Sequence, residues 1–481
     1  MMPKSAKPAA TNPGQRAQAP FKGLLALTTT VAILSLAWAP VRAESLVDLY
    51  QAARSYDAAY LSAKAQADSV QYQVEQAYAL LRPSLGLKAS VTRSHFDSST
   101  DLGALPPLQA SLYGGSGSSL NSNSTTKTGG LAAKMPLINR ADAAKVDQAE
   151  QSLIAAKSDL AIAENDLMAR LTQAYFDVLA AKDALTTSQA NKAAIAEQLA
   201  SAKRNFEVGT ATITDTREAQ ARYDLAVAQE LAADNDLRVK RVTLDQFVGR
   251  VGVQPKGLAT PVALPALASD NVDTWVATAD DQHPGIRKAR LGLEVAQLDT
   301  QIARAAEKPT LDASATLGGQ NLHNSLNGPA SVASGVGTTK TASVGLTFTY
   351  PIYTGGLTQN RIKETLVLED KARNDLDFAR RSVSEATRRA FFGVQSLKAQ
   401  VSAFEAAESS TKLALEATQL GYKVGVRVNL DVLNAQTQLY TTQRDLAKAR
   451  YDVVVNSLKL RQASGQLRAE DVGAVNTLLV K

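Results

Sequence analysis

Apolar residues recur along this chain at two spacings, and the order in which the spacings alternate occurs twice. Between 46 and 81, Leu46, Leu49, Ala53, Tyr56, Tyr60, Ala63, Ala67 and Val70 fall three or four apart, the period of one helix face. Pro83 pushes Arg82 out of the helical region and predicts the stop. Leu85, Leu87, Ala89 and Val91 then alternate with Gly86, Lys88, Ser90 and Thr92, which predicts a strand with one apolar and one polar face. A Ser/Gly/Asn/Thr-rich loop follows over 97–127. A second alternating segment sets Leu131, Ala133 and Met135 against Gly130, Ala132 and Lys134.

From about 140 to 208 the helical period returns. Leu153, Ala156, Leu160, Ala163 and Leu167 are followed after a one-residue slip by Leu171, Ala174, Val178, Ala181 and Leu185. Sustained heptads predict coiled-coil packing. Such a helix is roughly 100 Å long at about 1.5 Å per residue. That is about three bilayer cores, and Lys157, Asp159, Glu164, Asp166 and Arg170 independently exclude a membrane span. Gly209 turns the chain, a helix returns over 215–249, and Gly252, Pro255, Gly257, Pro261 and Pro265 mark a strap over 250–270. The plan then repeats: helix 280–307, strand 310–318, loop 319–340, strand 341–350, and helices 357–423 and 430–465.

An offset of 216 residues relates Phe176 to Phe392, Gly209 to Gly425, Asp215 to Asp431, Ala219-Gln220 to Ala435-Gln436 and Gly249 to Gly465. Arg82-Pro83-Ser84-Leu85 matches Lys308-Pro309-Thr310-Leu311 at a slightly different offset. One repeat is therefore half the protein, far longer than solenoid units. The predicted organisation is a first repeat over 44–270, a second over 271–465 and a tail over 466–481.

The N-terminus changes the charge argument. Lys4, Lys7, Arg16 and Lys22 precede an apolar run from Leu24 to Trp38, and Val41-Arg42-Ala43 suits a cleavage site. This predicts a secretory signal peptide over 1–43, cut before Glu44. The run of about 15 residues falls short of the roughly 20 that a spanning anchor needs. Residues 1–43 hold five basic and no acidic residues, so the formal net charge of +6 falls to +1 on cleavage. The basic pI thus gives no support to a nucleic-acid partner. Cysteine is absent, which excludes disulfides, thiolate chemistry and a lipidated cysteine. His95, His283 and His323 are too dispersed for a metal set, with His95 and His323 in or beside the predicted loops. Phosphate-loop, nucleophile-elbow and zincin motifs are missing, so the sequence predicts no enzyme, no cofactor and no metal.

Four amphipathic strands per chain cannot close with satisfied edges. A soluble sandwich would not sit between coiled coils 100 Å long. A secreted chain with apolar strand faces turned out and Gly/Ser/Thr/Lys faces turned in fits an outer-membrane barrel built by several copies. Lys88, Ser90, Thr92, Lys134, Asp312, Ser314, Ser343, Thr347 and Thr349 would line the lumen. Leu87, Val91, Leu346 and Phe348 would meet lipid, with Tyr350 and Tyr353 at the interface nearer the helices.

Three motifs carry a resemblance. Tyr350–Gly356 reads Y-P-I-Y-T-G-G, Gly421–Gln436 reads G-Y-K-V-G-V-R-V-N-L-D-V-L-N-A-Q, and Phe206–Asp215 reads F-E-V-G-T-A-T-I-T-D. They closely resemble the TolC family of Gram-negative outer-membrane efflux and secretion ducts, and the likeness extends over 44–481. The resemblance implies an α+β membrane protein acting as a homotrimer. A 12-stranded transmembrane β-barrel would be joined to a 12-helix α-barrel crossing the periplasm. It implies a periplasmic adaptor and an inner-membrane transporter as partners, outer-membrane lipid around the strands, and a periplasmic tip that is closed at rest. It places Asp431 at the narrowest ring, with Asn434 where a second acid is common. It assigns Thr214, Asp215, Tyr422 and Arg427 to contacts that latch the closed tip.

The residues allow simpler readings too. Asp215 and Asp431 suit helix N-termini, a contribution under about 1 kcal/mol when exposed, and Arg427 could be a solvated loop charge. A periplasmic coiled-coil adaptor would explain the hairpins but not two strand pairs with long polar loops. A trimeric adhesin with a barrel anchor would gather its strands at one end of the chain.

Overall fold

The computed structural model describes residues 44–100, 118–259, 264–327 and 335–480. The predicted signal peptide lies outside these residues. The first helical run is two helices. α1 (Leu46–Tyr56) and α2 (Ala58–Ala79) are separated by extended Asp57, whose carboxylate accepts the Tyr60 N–H at 2.8 Å and starts α2. The apolar spacing runs straight across this break, so periodicity alone predicts one helix. Arg170 Nη1 lies 3.3 Å from the buried Asp57 carboxylate and ties the break to the long helix alongside.

The strands correct the sequence reading in length. β1 (Ser84–Thr100) and β2 (Ser118–Ile138) extend well into the predicted 97–127 loop. The remainder of that loop lies outside the described residues. After β2 come α3 (Arg140–Glu207), α4 (Ile213–Val248), α5 (Val272–Gln282) and α6 (Pro284–Ala305). The predicted helix 280–307 corresponds to α6, and the spacing does not predict the separate short helix α5 before His283. β3 (Thr310–Asn327) and β4 (Gly335–Thr349) likewise outrun their predicted ends, and His95 and His323 sit on strands rather than in loops. The distal strand halves are Ser/Thr/Asn-rich on both faces. They leave no apolar alternation to read, while the backbone ladder forms without one.

The sheet is fully antiparallel in the order β1-β2-β3-β4. Residues paired across strands share a face. Pairing of Ser90 with Thr128, Lys134 with Ser314, Asp312 with Thr347 and Thr316 with Ser343 puts the predicted lumen residues on one face. Lys134 Nζ lies 3.0 Å from the Asp312 carboxylate on that face. The opposite face carries successive rows: Leu311/Phe348, Met135/Ala313/Leu346, Leu85/Ala133/Ala315/Val344, Leu87/Leu131/Leu317/Ala342 and Ala89/Gly129/Gly319/Lys340. It is bare in one chain: Leu87 is 77% and Val344 89% exposed. Four row spacings of about 6.8 Å, tilted by about 40°, give an apolar band roughly 21 Å tall. That is close to the roughly 25 Å band of outer-membrane barrels.

The C-terminal half holds α7 (Leu357–Lys423), α8 (Asn429–Ala463) and α9 (Ala469–Asn476). Nearer the strands, the helices pack side by side as α2-α3-α6-α7. Nearer the turns they pack as α4-α3-α8-α7, with α3 and α7 running through both layers. The main core lies between these layers. There Leu46, Leu49, Tyr175, Phe176 and Tyr451 are buried together, with Tyr175 edge-on to Phe176 at 5.4 Å. The predicted tail is not loose: α9 buries Val472 and Val475 in this core, and Val480 N–H donates to Gly257 O at 2.9 Å.

Candidate gate at the tip of the long helices

The ends of α3 and α7 farthest from the sheet each close on a glycine with positive φ, Gly209 at 76° and Gly425 at 80°. A side chain is strained in this conformation, so both predicted turn glycines have a backbone reason. After Gly209, the N–H groups of Thr210 and Ala211 donate to Asn205 O at 2.8 and 3.2 Å. After Gly425, those of Val426 and Arg427 donate to Gly421 O at 2.9 and 3.2 Å. The two turns use the same geometry, as the 216-residue offset predicts.

Their helix starts differ. Thr212 caps α4 in a reciprocal box: Asp215 N–H donates to Thr212 Oγ1 at 3.2 Å, and Thr212 N–H donates to Asp215 Oδ2 at 2.9 Å. Val428 at the equivalent position of α8 offers no side-chain cap. The Asp431 carboxylate is thereby left free of capping duty, and Arg427 Nη1 approaches it at 3.6 Å. One turn on, Asn434 is exposed and its Oδ1 accepts from Arg222 Nη2 of α4 at 3.0 Å.

The turns face each other across a cleft of about 700 Å³ whose lining includes Asp215, Tyr422 and Arg427. Thr214 is exposed and is not among its lining residues. Within the chain, Asp215 pairs with Thr212, Arg427 with Asp431, and the Tyr422 hydroxyl accepts from Asn205 Nδ2 at 3.1 Å. The expected pairing of Arg427 and Tyr422 with Thr214 and Asp215 is therefore not made inside one chain.

Sequence reasoning missed Asn205, Arg222 and Asn429. The first two gain their roles from partners more than 200 positions away, which no local pattern encodes. Asn429 is buried beneath the cleft, and neither polar atom of its side chain has a hydrogen-bond partner among the described residues. A buried amide left unsatisfied costs about 1–3 kcal/mol, and this one sits at the base of the α8 turn.

A sequence profile of outer membrane efflux proteins matches residues 49–250 and 275–466, most of the chain and both of its halves. The chain belongs to the outer membrane efflux protein family. Its relatives include the outer membrane protein TolC of Vibrio cholerae serotype O1, 31% identical over 456 residues that cover 95% of this chain and 98% of that one. The alkaline protease secretion protein AprF of Pseudomonas aeruginosa is 30% identical and covers 64% of this chain and 63% of its own. Among solved structures, a Pseudomonas aeruginosa membrane protein superposes with a TM-score of 0.72 at 18% identity, covering 88% of this chain and 91% of its own. The outer membrane protein VceC of Vibrio cholerae gives 0.67 at 20%, covering 87% and 96%. These likenesses show the fold, long helices joined to a four-stranded share of a β-barrel. The family places this efflux protein in the outer membrane as an exit duct, a transport channel in class.

Proposed function

We propose that three copies of this chain form a duct, gated at the helix-turn tip, that serves a tripartite efflux pump or a type I secretion system. A periplasmic adaptor and an inner-membrane transporter would be its partners. The observation that carries this reading is that both layers of the chain end on unsatisfied edges. β1 and β4 each have one unpaired side in the sheet order. The flanking helices also bear exposed apolar residues, Leu231 and Val242 on α4 and Phe378 and Leu413 on α7. Closing both edges by the same rotation joins strand to strand and helix to helix. Three copies supply 12 strands from the four per chain. The apolar band then meets lipid, with Phe348, Tyr350 and Tyr353 at the helix-side interface where aromatic side chains favour the boundary.

The two halves, 44–270 and 271–465, act on this reading as repeats that each supply two strands and one hairpin to the wall. The tip cleft is where the gate lies, because its contacts are exposed and individually weak. TolC-like ducts with adaptor and transporter fit this plan better than a lone adaptor, which has no use for a bare apolar strand face. The test is fractionation and reconstitution of the full chain. Heat-resistant trimers in the outer-membrane fraction, and small, rarely open conductances in planar bilayers, are expected. A monomer in the periplasmic fraction would overturn the proposal.

A further inference from the structure

The two ends of the apolar band differ in chemistry. At the helix end it finishes in aromatic residues. At the distal end the same face turns basic over three consecutive rows. Lys340 closes the row Ala89/Gly129/Gly319, Lys127 stands in the next between Val91 and Asn321, and Arg93 in the one after, whose β3 member is His323. Lys127, Arg93, Lys340 and His323 are all exposed. Among the described residues, Arg93, Lys127 and Lys340 form no ion pair, whereas Lys134 on the opposite face is matched by Asp312. His95 is held by Asn123 Oδ1 at 2.8 Å, and Asp97 is the acid nearest the patch on this face.

Cross-strand spacing of about 4.8 Å and a rise of about 3.4 Å put Arg93 and Lys127 roughly 7–8 Å apart at the backbone, and Lys127 and Lys340 roughly 12 Å apart. Between them Gly129 and Gly319 keep the surface low. A Cβ added at Gly129 would meet nothing within 4 Å, and one at Gly319 only the Thr339 carbonyl at 3.8 Å. A smooth apolar floor therefore runs up to three cations that form no ion pair among the described residues. Exposed basic residues also flank the strands at the helix-side rim, where Arg82 pairs with Glu75, but Arg93, Lys127 and Lys340 stand within the rows of the apolar face itself.

We propose that this rim of each chain docks phosphorylated lipid of the outer leaflet. Acyl chains would lie across the Leu87/Leu131/Leu317 row and those beneath it, and headgroup phosphates would bridge Arg93, Lys127 and Lys340. The inference rests on the reading that the apolar face meets lipid. Charge complementarity supports it, because guanidinium and ammonium groups bind phosphate oxygens through charge-assisted hydrogen bonds. An apolar floor beside them favours an acylated ligand over a free ion.

The experiment uses the full-length assembled protein in vesicles of zwitterionic phospholipid, with or without a phosphorylated glycolipid, and counts glycolipid retained per chain after detergent extraction. The combined variant Arg93→Gln, Lys127→Gln, Lys340→Gln should retain at least fivefold less. The opposite-face pair Lys88→Gln, Lys134→Gln should retain as much as the parent. Equal retention by the triple variant, or equal loss by the opposite-face pair, overturns the inference. So does displacement of the glycolipid by inorganic phosphate, which would mark a simple ion site. Should the triple variant fail to assemble, Lys127→Glu alone carries the same comparison. Membrane insertion of Val344→Arg against Ser343→Arg tests the underlying face assignment separately. If both insert equally, that reading fails; if only Ser343→Arg inserts while the triple variant keeps its lipid, this inference alone fails.

Discussion

At the scale of single residues the tip is a set of weak contacts, as the proposed gate requires. The Arg427–Asp431 pair is solvent-exposed, and such pairs contribute about 0–1 kcal/mol. The pair is local to the start of α8, so a closed tip would be held by contacts that Arg427 makes between copies, and exposed contacts of this strength are offset by a modest difference in partner affinity between open and closed forms. The same pair screens the Asp431 carboxylate. Arg427→Ser is therefore expected to raise single-channel conductance and to shift the reversal potential toward stronger cation selectivity. An unchanged conductance would remove Arg427 from the latch. Asp431→Ala should abolish most block by a trivalent cation complex, and Asn434→Asp should strengthen it, because carboxylate rings concentrate cations where neutral amides do not. Identical block in Asp431→Ala and parent would put the constriction elsewhere. Asp431 and Arg427 are singled out by the family resemblance rather than by any local pattern. Their mutual contact is local, between positions four apart, whereas the Tyr422–Asn205 link required the whole hairpin pair.

At the scale of elements, the breaks in the short helices are capped, and the cap at His283 titrates. His283 starts α6 by accepting the Gly285 N–H on Nδ1 at 3.1 Å, and burial lowers its pKa from the ordinary 6.5. Protonation removes the accepting lone pair as well as placing a charge in a half-buried site. Since the folded pKa is the depressed one, the contribution is complete above the unfolded pKa and is lost as pH falls through the folded value. Denaturant midpoints of the parent should therefore fall on acidification from neutral pH. His283→Asn keeps a capping acceptor without titrating, and should flatten that part of the dependence. An equal slope in both proteins would rule the imidazole out. In the strands, Val344 lies in the middle row of the apolar band, where arginine costs about 2–4 kcal/mol. Val344→Arg should abolish outer-membrane assembly, while Ser343→Arg on the polar face should assemble, as judged by surface labelling.

At the scale of the whole molecule, the described part of the chain leaves β1 and β4 as sheet edges and α4 and α7 as outer helices. Phe378 on α7 is 74% exposed, and burying such a side chain contributes about 1.5–3 kcal/mol. Phe378→Glu is expected to lower the fraction of heat-resistant oligomer on unheated gels. Arg389→Gln, which breaks only an exposed pair with Glu385 on the same helix, should leave it unchanged. Equal resistance in both variants would place the α7 edge outside the contact between copies.

The long helices, the turn glycines and the membrane-height half of each strand follow from local pattern. Period and punctuation are short-range properties, and helix and strand geometry impose them directly. The repeat offset was equally plain, yet equivalence of position did not carry equivalence of burial. Phe176 is buried in the main core while its counterpart Phe392 is exposed, and neighbouring Phe391 is buried instead against Trp275. Neither the distal strand halves, the break at Asp57, nor the docking of α9 could be read from spacing. Each is settled by partners distant in the chain: backbone ladders across strands, Arg170 on α3, and the α1 surface that receives Val472 and Val475. Local periodicity states which face of an element is apolar. What that face meets depends on contacts whose energy exists only after distant segments have been brought together.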